Sequence, residues 1–362
     1  MTDLARYHRQ MLLPGVGEEG QEKLLASKAL IVGCGALGTV VASTLARAGV
    51  GHLVIADRDH VEITNLQRQI LFNEDDVENA MPKAQAARQK IATINSQVRV
   101  TAVVDDVNHK NVEKIAEGCG IIIDGVDNFE TRFLINDVAV KRGIPYMYGG
   151  AVGSVGMSFA ILPHTPGGDS AWERVGAATP CLRCIFEQAP PPGMNPTCDT
   201  AGVLAPVVNV IASCESAEAI KILTGNWGAI SPTILHVDLW ANTFRQFHAA
   251  GAYDLAECIC CRQRRFEFLE GEFASEVTRL CGRDSVQIAQ GQGNGHKLDF
   301  DALARRLERC GTVRMNPFML RADIVDGGKP YQLMLFPDGR AIIKGTKQAN
   351  TAKGIYAKYV GA

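Results

Sequence analysis

The chain has 362 residues, 46% of them hydrophobic and 21% charged, with a formal net charge of −2. This is length and apolar content for two globular domains, and the near-neutral balance excludes the basic field that a nucleic-acid surface needs. No apolar run is long enough to span a bilayer, and the charged opening "MTDLARYHRQMLL" lacks a signal-peptide core, so a cytoplasmic protein with no membrane partner is expected.

In chain order, "LARYHRQMLL" and "GQEKLLAS" read as short helical segments, and "KALIVG" as a buried strand by its length and branching. "GCGALG" opens the helical pattern "TVVASTLARAGV", and "HLVIAD" is a second strand. A helix is predicted from Pro82 through "PKAQAARQKIATIN". "VRVTAVV" and "GIIIDGVD" are strands around a helical segment, and "ETRFLINDVAVKRG" is a helix ending at Gly143. "PYMYGG" and "SFAILP" read as strands. Strands alternating with helices predict an α/β fold, a Rossmann-like doubly wound sheet covered on both faces. From His164 to Gly202 regularity fails in a Gly/Pro-rich loop, the kind of long connection that usually has a function. "VLAPVVNVIASCESAEAIKILTG" is then a long buried helix capped by Gly225, and "TILHVDLW" a late strand.

The character changes after "CICCRQRR". "FEFLEGE" and "SVQIA" are predicted strands, and "DFDALARRLERCG" a helix with Phe300, Leu303, Leu307 and Cys310 on one stripe. "YQLMLFPDGRAIIKGT" reads as a hairpin through Asp338-Gly339, and "NTAKGIYAKYVG" as a closing helix. The expected division is residues 1–265, then a small α+β domain over 266–362. "AQGQGNGHK" is the expected flexible stretch.

Gly33, Gly35 and Gly38 form G-x-G-x-x-G between a strand and a helix. The first glycine permits a tight turn, the second lets a phosphate approach the backbone, and the third allows close helix–strand packing at a helix N-terminus that favours anions. Asp57 ends the next strand, placed to bond ribose hydroxyls. The pattern indicates nucleotide binding without choosing between NAD and ATP. The surrounding polar and charged residues help to choose. Asn65, Arg68 and Gln69 lie just beyond Asp57, Lys83 opens the next helix, Arg6 and Arg9 lie in the first helix, and Asp127 ends a strand in "DGVDN". Several cations with one carboxylate suit a triphosphate and a magnesium ion, and a hydride-transfer enzyme needs none of them. Taken singly, each arginine reads better as a solvated surface charge or ion pair; as a set around one nucleotide site the residues read as functional.

Eleven cysteines in a reducing compartment point to metal or thiol chemistry. Cys181 with Cys184, and Cys258 with Cys261, make two C-x-x-C pairs, the composition of a closed, structural four-thiolate zinc site that would pin the irregular loop; a redox dithiol is the rival. Cys260 is a bystander between ligands. Cys198, in "NPTCDTAGV", precedes a helix N-terminus that would lower a thiol pKa; it is either a nucleophile or a small apolar filler. Cys34, Cys119, Cys214, Cys281 and Cys310 sit in apolar contexts and are expected in the core.

Together, "RYHRQ", "GCGALG", "ARAGVGHLVIADRD", "TNLQRQ", "PKA", "DGVDNFETRFLIND", both C-x-x-C pairs and "GVLAPVV…EAIKILTG" resemble the ThiF/MoeB/HesA family, relatives of the adenylation half of ubiquitin-activating enzymes. The resemblance covers most of Ala5 to Arg262, and departs at Ala36, where the family commonly has glycine. It implies a sheet of the ubiquitin-activating-enzyme type and an adenylyltransferase that uses ATP and Mg2+ to activate the C-terminal Gly-Gly carboxylate of a ubiquitin-like sulfur-carrier protein. By family role Asp57 holds ribose, Asn65, Arg68 and Lys83 hold phosphates, Asp127 sits with magnesium at the reacting phosphate, and Arg9 reaches across a homodimer into the partner's site. Cys198 matches the position that, in ThiF-like members, bonds to the activated carrier or its sulfur, and the loop over about 164–201 resembles the crossover segment over the carrier tail. A sulfur donor such as a cysteine desulfurase is the implied second partner. Thiamine, molybdopterin, cysteine and tRNA-thiolation pathways all use such enzymes. The competing readings are an NAD-dependent oxidoreductase, a non-catalytic binder of a ubiquitin-like protein, and the tRNA-modifying dehydratase branch of the superfamily; Arg68, Lys83 and Asp127 speak against the first, Asp127 and Arg68 against the second, and the four cysteines and lack of basic surplus against the third.

Overall fold

A computed structural model describes residues 4–188, 201–249, 251–255, 257–273, 285–288, 298–337 and 339–361. They form two compact units. The first comprises Met1–Glu74 and Lys83–Phe273, the second Asp75–Pro82 and Ala274–Ala362.

The first unit is built on an eight-stranded sheet ordered β3-β2-β1-β4-β5-β6-β7-β8. Its parallel half contains β1 (Lys28–Val32), β2 (His52–Ala56), β3 (Arg99–Val103), β4 (Ile121–Asp124) and β5 (Tyr146–Val152). β6 (Val155–Ile161), β7 (Thr233–Asp238) and β8 (Thr243–His248) extend it antiparallel. The central strands β1 and β4 are apolar and buried, as expected where helices cover both faces. The helices α1 (Gly17–Ala26), α2 (Ala36–Ala48), α3 (Lys83–Ile94), α4 (Phe129–Arg142) and α5 (Ala205–Thr224) are those the sequence predicts. Three of them, α2, α4 and α5, end on a left-handed glycine, Gly49, Gly143 and Gly225.

Several expectations need correction. "FEFLEGE" forms turns instead of a strand. Phe266 and Leu269 are buried in the first unit's core, and the amides of Phe268 and Leu269 donate to Asp137 Oδ2 at 3.0 and 3.2 Å. Two bonds to one carboxylate hold the segment in a turn that alternation cannot reveal. β8 has no counterpart among the expected strands; its pattern is exposed along its length, so the apolar signal of a buried strand is missing. Cys34 and Cys119 are buried as expected, Cys214 is half-buried, and Cys310 is exposed, because α6 (Phe300–Leu307) ends before the stripe reaches it. Cys281 lies outside the described residues.

The second unit carries a five-stranded sheet ordered β10-β11-β12-β13-β9. Its strands are β9 (Ser285–Ile288), β10 (Gly311–Asn316), β11 (Met319–Asp326), β12 (Lys329–Leu335) and β13 (Ala341–Lys344). Alternate residues Leu320, Ala322, Ile324, Leu333, Leu335 and Ile343 share a core with Leu303 and Leu307 of α6 and Ile355 of α7 (Ala349–Tyr359). β10 and β11 are likewise additions to the expected strands; β10 is exposed at most positions, whereas β11 does alternate, with Leu320, Ala322 and Ile324 buried between Arg321 and Asp323.

Candidate nucleotide site and zinc centre

The glycine turn between β1 and α2 is closed by backbone contact. Gly33 has a φ of +88°, and a Cβ on Gly38 would lie 1.9 Å from the Gly33 carbonyl oxygen. A Cβ on Gly125, just after β4, would lie 2.2 Å from the same oxygen. Any side chain there would push the turn apart. At Gly35 a Cβ would meet only ordinary contacts, with Gln69 Nε2 3.9 Å away, so the backbone there can be approached closely.

Asp57 locks this turn to the end of β2. Its Oδ2 accepts from the Cys34 amide at 2.6 Å and its Oδ1 from the Asp59 amide at 2.7 Å. Burial raises the carboxyl's pKa, opposed by Lys83. Each oxygen keeps acceptor capacity beyond these bonds. Lys83 is buried at the start of α3, with its amide bonded to Asp59 O at 2.8 Å and its Nζ 3.2 Å from Asp59 Oδ2.

Asn65, Arg68 and Gln69 follow on one short turn. Asn65 Oδ1 accepts the Glu62 amide at 3.0 Å in a capping box. Its Nδ2 is sealed from solvent with no hydrogen-bond partner among the described residues, and so is Gln69 Oε1. Buried polar atoms without partners are costly, and two of them beside the glycine turn mark a place for a polar ligand. Arg68 is half-buried, its Nη1 resting on Thr64 O at 2.9 Å.

Asp127 is exposed in the loop after β4. That loop is fixed from below. Asp124 Oδ1 accepts the Val126 amide at 2.9 Å, and Arg132 Nη2 donates to Val126 O at 2.9 Å. The structure therefore gathers Gly33, Gly35, Gly38, Asp57, Asn65, Gln69, Lys83 and Asp127 onto the carboxyl edge or its adjoining turns, the region where such sheets bind ligands. Arg9 is not tied in: it is exposed on the N-terminal helix, with no hydrogen bond or ion pair among the described residues. Cys198 lies outside the described residues, with the rest of 189–200.

Cys181, Cys184, Cys258 and Cys261 converge with their sulfurs within 4.8 Å of one another. Individual Sγ–Sγ separations are 3.4, 3.6 and 3.9 Å. Those are too long for a disulfide and close to the ~3.8 Å edge of a tetrahedron with ~2.3 Å zinc–sulfur bonds. The donor set and spacing fit zinc. Cys260 is buried beside them and accepts from Asn136 Nδ2 at 3.3 Å, while Asn136 Oδ1 accepts the Leu182 amide at 2.8 Å. Asn136 thus stitches both cysteine segments to α4, a support that the sequence does not reveal because its parts are far apart in the chain.

Arg58 is a further residue that sequence reasoning misses. Its Nη1 is 2.7 Å from Asp106 Oδ1, joining the ends of β2 and β3. A lone arginine in "ADRD" reads as a surface charge, and only the fold brings Asp106 to it.

A glycine turn closed on a parallel sheet, an acid at the end of the second strand and buried polar groups awaiting a ligand define an α/β nucleotide-binding protein. Comparison with known proteins gives the particular family. The ThiF family matches residues 7–258, and the chain belongs to it. It is 42% identical over 357 residues to the sulfur carrier protein ThiS adenylyltransferase of Bacillus subtilis, covering 98% of this chain and 99% of that protein. It is 38% identical over 244 residues to the sulfur carrier protein adenylyltransferase of Thermus thermophilus, covering 67% of this chain and 86% of that one. Among solved structures, E. coli MccB with MccA-N7isoASN superimposes with a TM-score of 0.58 at 24% identity, over 71% of this chain and 74% of that one, which bears on the fold alone. Among the described residues no helix is long and apolar enough to cross a membrane.

Proposed function

We infer that this protein is an adenylyltransferase that uses ATP to activate the C-terminal carboxylate of a sulfur-carrier protein. The family membership, and the similarity to two relatives named for that activity, support the reading. The observation in the molecule that carries it is the pair of unpartnered buried amide atoms, Asn65 Nδ2 and Gln69 Oε1, beside the closed glycine turn.

On this reading the carrier ends in Gly-Gly. A carboxylate oxygen attacks the α-phosphorus of ATP, the bond from that phosphorus to the bridging oxygen breaks, and pyrophosphate leaves with the electron pair. Asp57 holds the ribose, the Gly35 backbone and helix dipole of α2 face the phosphates, Asn65 donates to them, Arg68 and Lys83 bind and neutralise them, and Gln69, whose free atom is an acceptor, takes a hydroxyl or amino donor of the nucleoside. Positioning and charge neutralisation supply most of the catalysis in such displacements. Asp127 is the residue to hold magnesium, which when bound would neutralise phosphate charge. Arg9 serves the partner subunit's site in a homodimer. The four cysteines hold a structural zinc. Cys198 serves as the thiol that attacks the carrier's acyl-adenylate carbonyl, forming a thioester as AMP leaves, or that accepts sulfane sulfur from the persulfide of a cysteine desulfurase or similar donor, whose own thiol is released. In this scheme the first unit, which runs past the expected boundary at 265 to Phe273, is the adenylation domain, with the second unit appended, in the cytoplasm.

ATP–pyrophosphate exchange with carriers ending in Gly-Gly tests the reading. Exchange that depends on the carrier, survives Cys198→Ala and disappears in Asp127→Ala is the expected result. Exchange that persists in Asp127→Ala removes that residue's role, and none with any carrier ending in Gly-Gly overturns the activity.

A further inference from the structure

The carboxyl edge of the sheet is crowded with acids. Asp57 and Asp59 follow β2, Asp106 follows β3, and Asp127 and Glu130 follow β4. A nucleoside triphosphate brings further negative charge to this edge. Lys83 Nζ lies 3.2 Å from Asp59 Oδ2 and also faces Asp57. Arg58 is the cation set among the acids, with its side chain 22% exposed and Nη1 bonded to Asp106 Oδ1 at 2.7 Å. Among the described residues its other guanidinium donors make no hydrogen bond. Burial alone would lower its pKa, but the fields of Asp106, Asp59, Asp127 and Asp57 outweigh burial and raise it. Burial raises the Glu130 carboxyl, Asp106 raises it further, and Arg58 pulls it back.

Asp106 is itself anchored. Its carbonyl accepts from Asn108 Nδ2 at 2.9 Å and from Asn111 Nδ2 at 2.8 Å, so the loop that holds Arg58 is laced to its own backbone. An arginine fixed through one nitrogen keeps a planar fork of remaining donors at constant position, the geometry that suits phosphate and ribose oxygens or a purine face. Its place in the chain, immediately after the acid at the end of β2, puts it beside the nucleoside end of the site.

We propose that Arg58, anchored by Asp106, is a further nucleotide-contacting residue of this site and sets its affinity for ATP. This rests on the adenylation reading for its reaction but not for its binding step. The test therefore pairs calorimetric titration with ATP and magnesium with the exchange assay. Arg58→Met should weaken ATP binding and raise the KM for ATP about tenfold, the loss of one charge-assisted contact, with kcat within about twofold. Arg58→Lys, which keeps the charge but not the fork, should recover only part of this. Asp106→Asn should weaken ATP less than Arg58→Met, and the double variant should match Arg58→Met, as residues acting through one contact do. Arg58→Met or Arg58→Lys binding ATP as the wild type does, with Arg58→Met and Asp106→Asn losing equal thermal stability, would reduce the pair to a strap between β2 and β3 and overturn the proposal. Wild-type protein that binds ATP without exchange, while Arg58→Met binds it more weakly, ends the adenylation reading and leaves this contact standing. A wild type that does not bind ATP ends both.

Discussion

Asp124, the last residue of β4, is ion-paired at 3.0 Å with Arg132 inside α4, and both side chains are almost sealed from water. The pair does not stand alone. Tyr146 Oη donates to the same Asp124 oxygen at 2.9 Å, and Arg132 Nη2 reaches Gly149 O at 3.0 Å. The guanidinium also lies over the rings of Phe129 and Tyr148, 5.3 and 5.2 Å from their centroids. One cation thus ties β4, β5 and α4 together and fixes Val126 beside Asp127.

Removing Arg132 leaves a buried carboxylate without its charge partner. Arg132→Met should cost about 3–5 kcal/mol of stability, the usual penalty for breaking a buried pair from one side. Arg132→Lys should recover little, since a point charge cannot serve Asp124, Val126 and Gly149 together. Urea denaturation measures the loss. If Arg132→Met unfolds at the wild-type urea concentration, the pair is not what holds the loop.

Glu215 supplies a prediction about pH. It is fully buried in α5, neither carboxyl oxygen has a hydrogen-bond partner among the described residues, and a Cβ on Gly149 would lie 2.3 Å from Oε1. Burial pushes its pKa well above the ordinary 4.5, Asp124 adds to the rise, and Arg132 opposes it. The folded protein therefore keeps a proton here that the unfolded chain releases once the pH passes 4.5. The stabilising contribution of this group is complete below that pH and declines as pH rises toward the folded-state value. Glu215→Gln, neutral at every pH, should show a flatter stability profile, with an advantage over wild type that grows from acid to neutral pH. Parallel profiles in thermal or urea unfolding across that range would show that Glu215 is ionised in the fold.

The first unit is readable in the sequence because its strands are apolar runs and its helices end on glycines. Gly143 and Gly225 both fall where the chain stops being helical. The glycine turn and Asp57 are readable for the same reason: their spacing is local. Arg58 with Asp106, Asp124 with Arg132 and Asn136 with Cys260 are not. Each depends on residues brought together by topology, and a charged residue alone reads as solvated surface. β8 and β10 escape because exposed edge strands carry no buried face to produce alternation.

The four-cysteine cluster predicts a measurable dependence on metal. Protein purified without chelator should contain about one zinc per chain, the capacity of a single four-thiolate centre. Removal by a strong chelator should lower thermal stability markedly, since such a centre contributes on the order of 10 kcal/mol to local order. Cys261→Ser should reproduce the loss, whereas Cys260→Ala, which leaves the four sulfurs intact, should retain the metal and lose only the Asn136 contact. Zinc retained by Cys261→Ser and lost from Cys260→Ala would reassign the ligands.

Asn65 allows fold and ligand roles to be separated by one atom. Its Oδ1 caps the turn at Glu62, while its Nδ2 is the buried donor without a partner among the described residues. Asn65→Asp keeps an acceptor for the Glu62 amide and replaces the donor by an oxygen. The cap should survive, but the ligand-free protein then buries a carboxylate oxygen without a donor, so urea unfolding should show a loss of about 1–3 kcal/mol from that oxygen, beside the ~1 kcal/mol that a lost cap costs. Facing phosphate oxygens, the new carboxylate turns an attraction into a repulsion, and the KM for ATP should rise on the order of a hundredfold. Asn65→Ala loses both functions, with a lower melting temperature and a smaller rise in KM. Steady-state exchange kinetics beside thermal melts of both variants decide the matter: a normal KM in Asn65→Asp would mean that Nδ2 does not face the nucleotide.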